Sequence, residues 1–203
     1  YIAGDVNIGT STFSPGSSGN VIADFTGMPD FYNFKLSFSN GSRSLIASPS
    51  VLNIKNDLFA NSGGSAGVTF NVGRNVIANG ANFLNVNLVG NSNQLVDANG
   101  VGGFQRIQIN STGGVVRFQG DISVSSEFTY LSGVTDFTTS TITFSGGTSN
   151  TQLTLDPSVS LNNVVVSKGT VSNLFLNSDI NIKGNLTYQG GKAANSNIYE
   201  INL

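Results

Sequence analysis

Four segments of the chain follow one template, and that recurrence restricts the fold more than any other feature. Residues 31–41 read FYNFKLSFSNG, 83–90 FLNVNLVG, 104–113 FQRIQINSTG and 161–169 LNNVVVSKG. Each is apolar at its first, fourth and sixth positions and reaches a glycine two to five residues later. A second run follows: DISVSSEFTYLSG at 121–133 and DINIKGNLTYQGG at 179–191 are identical at five of thirteen positions. Residues 50–63 share its apolar spacing through Leu52, Ile54 and Leu58. The second run begins 17 and 18 residues after the first template in the copies at 104 and 161, and the copies at 83 and 104 are 21 apart.

Within these units, apolar and polar residues alternate over three to six positions and stop at Gly, Asn, Ser or Pro, which is the pattern of short strands joined by turns. No window holds the i, i+3, i+4 spacing of an amphipathic helix without Gly or β-branched interruptions. The chain is therefore read as all-β without significant helix. Short strands recurring every 17 to 21 residues predict a parallel β-solenoid, a β-helix in which each coil pairs with the next. Two stacked antiparallel sheets would also supply many short strands, but they do not require recurrence along the whole chain. About ten coils at ~4.8 Å each predict a rod of about 50 Å. Phe104, Ile107, Ile109, Phe118, Ile122, Val124, Phe128 and Tyr130 fall in inward phase and are the expected core stack. Lys35, Arg117 and Lys183 fall in outward phase.

Residues 4–8 match residues 120–124, so the chain opens inside a repeat, and Tyr199, Ile201 and Leu203 close it in strand phase. Solenoids normally end in polar caps. Residues 1–203 are accordingly expected to form one solenoid segment of a longer repetitive chain.

Composition bears mainly on chemistry. Asn, Ser, Thr and Gly make up 95 of 203 residues, and charged residues only 10%. There is no His and no Cys, which removes the usual ligands of zinc, haem and iron–sulfur clusters and any histidine-based triad. A net charge of -2 provides no basic footprint for nucleic acid. No apolar run reaches the length of a membrane span. The eleven acids are never closer than six positions, so no paired-carboxylate motif exists. Stacking could still unite Asp5 with Asp24 or Asp136 with Asp156, although Asp at a coil corner is more simply a turn cap. Asp97-Ala98-Asn99-Gly100 has the look of a calcium-loop fragment but lacks acidic partners, and reads as a turn. Thr138, Thr139, Thr141 and Thr143 cluster without recurring along the rod, which argues against an ice-binding array. The N-x-S/T triplets at Asn40, Asn110 and Asn185 are expected by chance in so Asn-, Ser- and Thr-rich a chain. Asn33, Asn85 and Asn163 share the third template position and are the candidates for a coil-to-coil amide ladder or for corner turns, with Arg106 replacing Asn in the fourth copy. No catalytic residue, metal ligand or cofactor is expected.

The F-x-N-Φ-x-Φ start (Φ apolar), the D-I-x-V-x-x-x-F-T-Y-x-x-G run and the Asn and Gly corners resemble the β-solenoid repeats of very large secreted surface proteins of Bacteroidota. These include adhesins exported by the type IX secretion system, some of them gliding-motility adhesins. Arg106 in place of Asn and Leu161 in place of Phe depart from the pattern. The resemblance implies an extracellular, cell-surface, non-enzymatic stalk or adhesive segment. Its implied partners are neighbouring repeats of the parent chain, the export machinery, and a surface polysaccharide or other cell-surface ligand. The alternative from another class is a carbohydrate-active or carbohydrate-binding β-helix, marked by converging acids or a row of exposed aromatics.

Overall fold

The computed structural model describes residues 10, 12–14, 16–17, 19–38, 44–64, 67–80, 84–98, 103–194 and 199–203. Asp5, Asn40, Phe83, Asn99 and Gly100, singled out above, lie outside them. Every regular element among the described residues is a β-strand, and the strands pair in parallel. They stack as a β-solenoid of about eight turns. That is fewer than ten, because the coils are longer and less uniform than the 17 to 21 residues read from the repeats. Asn87 bonds to Asn71 across 16 residues, whereas Thr151 bonds to Ser125 across 26. At ~4.8 Å per coil the stack is about 40 Å long.

Three parallel ladders run along the rod. The first joins Val51–Ile54, Thr69–Val72, Leu84–Leu88 and residues 104–109. It resumes where residues 127–129 pair with Thr151–Thr154, then continues through Asn173–Leu176 and Lys192–Ala194. The second joins Asn33–Phe38, Leu58–Ala60, Val76–Ala78, Gln94–Asp97 and residues 116–119. The third joins residues 141–144, Asn163–Ser167 and Leu186–Gly190. Smaller sheets complete the wall: Ser160–Leu161 with Ile180–Ile182 and Ile201–Asn202, and Val21–Asp24 with Leu45–Ser48.

Gly103–Phe144 is extended over 42 residues without a break. Drawn straight it would measure about 140 Å. It instead winds around the rod, since Arg106 meets Glu127 across 21 residues and Thr139 meets the Phe118 carbonyl across 21. Glycine lets the ribbon turn. Gly114 has φ +69°, and a Cβ there would lie 2.2 Å from the Ser92 carbonyl carbon of the coil before. Only a residue without a side chain fits both constraints.

The core follows from the strand period. In Thr69–Val72, Phe70 and Val72 are buried while Thr69 and Asn71 are half-buried. Register then stacks like on like: Val86 lies between Phe70 and Ile107, and Leu88 between Val72 and Ile109. Phe104, Ile107, Ile109, Phe118, Ile122, Val124 and Phe128 are buried. Tyr130 is partly buried, with its body against the core. Phe118 and Phe137 stack with ring centroids 4.5 Å apart, and Phe128 packs against both. The outward charges keep to their phase, Lys35 standing between buried Phe34 and Leu36. Among the described residues no helix is long and apolar enough to cross a membrane.

Phe118 touches two other rings and has no exposed surface. Phe118→Ala should therefore cost about 3–5 kcal/mol, read as a lowered denaturation midpoint, whereas Thr139→Ala on the outer wall should cost about 1 kcal/mol or less.

Candidate functional site

Where the chain leaves one ladder for the next, its N–H groups lose their strand partners and must find others. An Asn or Asp oxygen from the preceding coil supplies them. Asn33 Oδ1 accepts from the Asp57 N–H (3.2 Å), Asp57 Oδ1 from Asn75 (3.1 Å), and Asn75 Oδ1 from Leu95 (3.0 Å). Asn93 Oδ1 caps Val115 in the same way (3.0 Å), Asn150 caps Asn173, Asn163 caps Asn185, and Asp179 caps Glu200.

A second ladder stands on an open strand face. Asn87 Nδ2 donates to Asn71 Oδ1 and Asn71 Nδ2 to Asn53 Oδ1, both at 2.9 Å, and Asn53 Nδ2 donates to Asp30 Oδ1 at 3.1 Å. The sequence carries this ladder as Asn between two apolar residues at 52–54, 70–72 and 86–88. The shared template position pointed elsewhere. Asn33 and Asn163 open strands and Asn85 follows the first residue of one, on three different ladders, so the three do not stack on one another. Asn33 and Asn163 act as corner caps, and Asn85 is buried with Nδ2 on the Val68 carbonyl (3.4 Å). The template thus marks a corner and the strand that leaves it, a unit that any face can use. Phe31 pairs with Ile54 on one ladder while Phe34 pairs with Leu58 on another.

Three of the acids close local turns. Asp24, Asp136 and Asp156 each accept from the backbone N–H two residues on, at Thr26 (2.9 Å), Thr138 (3.0 Å) and Ser158 (2.8 Å). The Thr or Ser hydroxyl, and then that N–H, holds each carboxyl below its ordinary value, with the Arg117 guanidinium adding to the effect at Asp136. No group of three or more acids able to hold a metal ion occurs among the described residues. Asp97 ends a strand, followed by buried Ala98. The T-Y-x-x-G copies share a local clip: the Tyr130 hydroxyl donates to the Gly133 carbonyl (2.6 Å), and the Tyr188 hydroxyl to that of Gly191.

Lys168 gave no signal in the sequence, yet it is buried. Its ammonium donates to the Ser145 and Ser149 carbonyls and to Thr151 Oγ1. It thereby fills the space under residues 145–150, where the coil widens, and burial pushes its pKa below the ordinary lysine value.

On the second ladder an open groove of about 370 Å³ crosses three coils. Arg74 and Asn75 form one side, Asn93, Gln94 and Leu95 the middle, and Val115, Arg117 and Gln119 the other side. Register aligns Leu95 with Arg117, and Val96 with Val76. Gln94 is buried and fully used, accepting from the Gly90 N–H and donating to the Val72 and Arg74 carbonyls. Arg74 Nη1 reaches neutral Asn56 (3.3 Å), and Arg117 Nε reaches Asp136 (2.9 Å).

Comparison of the chain with protein-family profiles, with curated proteins and with solved structures returns no match.

Two outcomes test these assignments. Lys168→Met strips a donor from two part-buried carbonyls and the buried Thr151 hydroxyl, and a buried acceptor left unpaired costs about 1–3 kcal/mol. Hydrogen exchange should speed up in residues 145–151 while residues 69–72 and 84–88 stay protected. The three capping aspartates have folded pKa values below the ordinary 3.8. Their stabilisation is thus complete above that value and is lost as pH falls through the lowered folded values. The melting temperature should drop in acid below about pH 4, and Asp136→Asn should flatten that drop.

Proposed function

We propose that this chain is a structural and adhesive segment of an exported cell-surface protein, a stalk wall that works through shape and repetition without catalysing a reaction. The observation that carries the reading is how the polar side chains are used. Corner Asn and Asp residues hold each coil to the next, the Asn53–Asn71–Asn87 ladder does so on an open face, and Asp24, Asp136 and Asp156 close turns. Side chains committed in this way stiffen a rod, and a stiff rod suits projecting a tip from a surface. Its outer wall offers amides and hydroxyls for weak contacts that gain strength by repetition. The resemblance of the repeats to type IX-exported and gliding-motility adhesins supports the same reading. Extracellular placement, neighbouring repeats and a surface polysaccharide as partner belong to that proposal.

Duplicating one coil tests it. A second copy of residues 107–127 inserted after Glu127 preserves register, because the coils there repeat at 21 residues. The rod should lengthen by ~4.8 Å in solution scattering, with attachment of cells displaying the parent protein unchanged. Antibody against the chain should label intact cells. Loss of attachment on substituting Asp24, Asp136 or Asp156 alone, with the fold intact, would overturn the reading in favour of a discrete chemical site.

A further inference from the structure

The groove over Leu95 has a chemical polarity that the corner caps impose. A backbone N–H can only donate, so the Asn atom facing it must be the amide oxygen. Asn75 and Asn93 use that oxygen on Leu95 and Val115. Their Nδ2 groups make no hydrogen bond among the described residues and remain as donors on the groove wall. The Gln119 amide is likewise without a partner there. Arg74 and Arg117, whose backbones stand two coils or about 10 Å apart, flank these amides and reach in opposite directions along the rod, to Asn56 and Asp136. Arg74 forms no ion pair among the described residues, and its only side-chain partner there is neutral Asn56. Arg117 engages Asp136 through Nε, and its terminal nitrogens make no other bond among the described residues. The half-buried side chains of Leu95 and Val115 add apolar surface between the charges. Donors at the rim, a guanidinium at each end, that of Arg117 already shared with Asp136, and an apolar strip between them suit a ligand with anionic acceptors at its edges and C–H surface on its face.

We propose that this groove binds a carboxylated polysaccharide, with Arg74 and Arg117 on carboxylates of non-adjacent uronates and the Asn75, Asn93 and Gln119 amides on its hydroxyls. The proposal names the partner of the adhesive reading and rests on it. Its volume is within the range of small-ligand sites, and planar guanidinium–carboxylate pairing gives directional, charge-assisted bonds.

Calorimetric titration of the chain with an oligogalacturonate trimer tests the assignment. The fully methyl-esterified trimer, which keeps the shape and loses the charge, and a single-stranded oligonucleotide of equal charge are the comparators. We expect binding of the uronate form only. Arg74→Gln, which breaks no ion pair, should weaken it by about tenfold, and R74Q/R117Q should abolish it, with the circular dichroism spectrum unchanged. Equal binding of the esterified trimer or of the oligonucleotide would overturn the proposal, as would full affinity in the double variant or no uronate binding at all. Cell attachment separates the two levels. If no uronate binds yet the cells attach, the groove assignment falls and the adhesive reading stands. If uronate binds through the arginines and cells without the segment attach equally well, the groove stands and the adhesive reading falls.

Discussion

The fold depends on satisfying backbone N–H groups where the chain turns from one ladder to the next. Inside each ladder parallel pairing does this without help from side chains. At the corners no strand is opposite, and the side chain of the coil before completes the bond. Asn33, Asp57 and Asn75 form a chain of such caps along one edge of the rod. Most of these caps use a short side chain with an oxygen two bonds from Cβ, which describes Asn and Asp, while Ser178 serves the Leu155 N–H from the coil after. This requirement accounts for part of the asparagine content. A protein that repeats its corners every coil repeats its asparagines too.

The scarcity of charge has a related cause. Residues in one outward column stand about 4.8 Å apart, and like unit charges at that distance repel by nearly 1 kcal/mol even in water. An amide can donate to one neighbour and accept from the other, as Asn71 does between Asn53 and Asn87. A column of carboxylates cannot. The ion pairs among the described residues cross coil boundaries. Lys55 with Asp30, Arg106 with Glu127 and Arg117 with Asp136 all join successive turns. Exposed pairs of this kind contribute little stability individually, so their value is in avoiding repulsion.

The sequence displayed the fold class and the inward phase because both arise from local period. Phe104, Ile107 and Ile109 alternate with polar residues whatever pairs with them, and they are buried. Coil length was less visible. The template repeats at corners, and a coil has more than one, so template spacing reports the distance between like corners on unlike faces. For the same reason Asn33, Asn85 and Asn163 share a local position yet sit on separate ladders. The true face ladder was present as Asn between apolar neighbours, but it becomes visible only once register is known. Lys168 is a different kind of omission. Its ammonium serves carbonyls 19 and 23 residues earlier in the chain, and no local pattern announces a cation that answers a widened turn one coil away.

Corner chemistry also decides what the outer wall can offer. Asn and Asp cap equally well, because each presents an oxygen to the N–H of the next coil. They differ in what remains. Asp57, having capped Asn75, keeps a second anionic oxygen. Asn75 and Asn93, having capped Leu95 and Val115, leave an amino group. Choosing between the two at a corner therefore changes the recognition chemistry of the wall at almost no cost to the stack. A solenoid built on such corners can carry donor-rich and acceptor-rich stretches along one rod while its interior remains the same. In this chain two donor-leaving corners, Asn75 and Asn93, stand on successive coils with the arginines beside them.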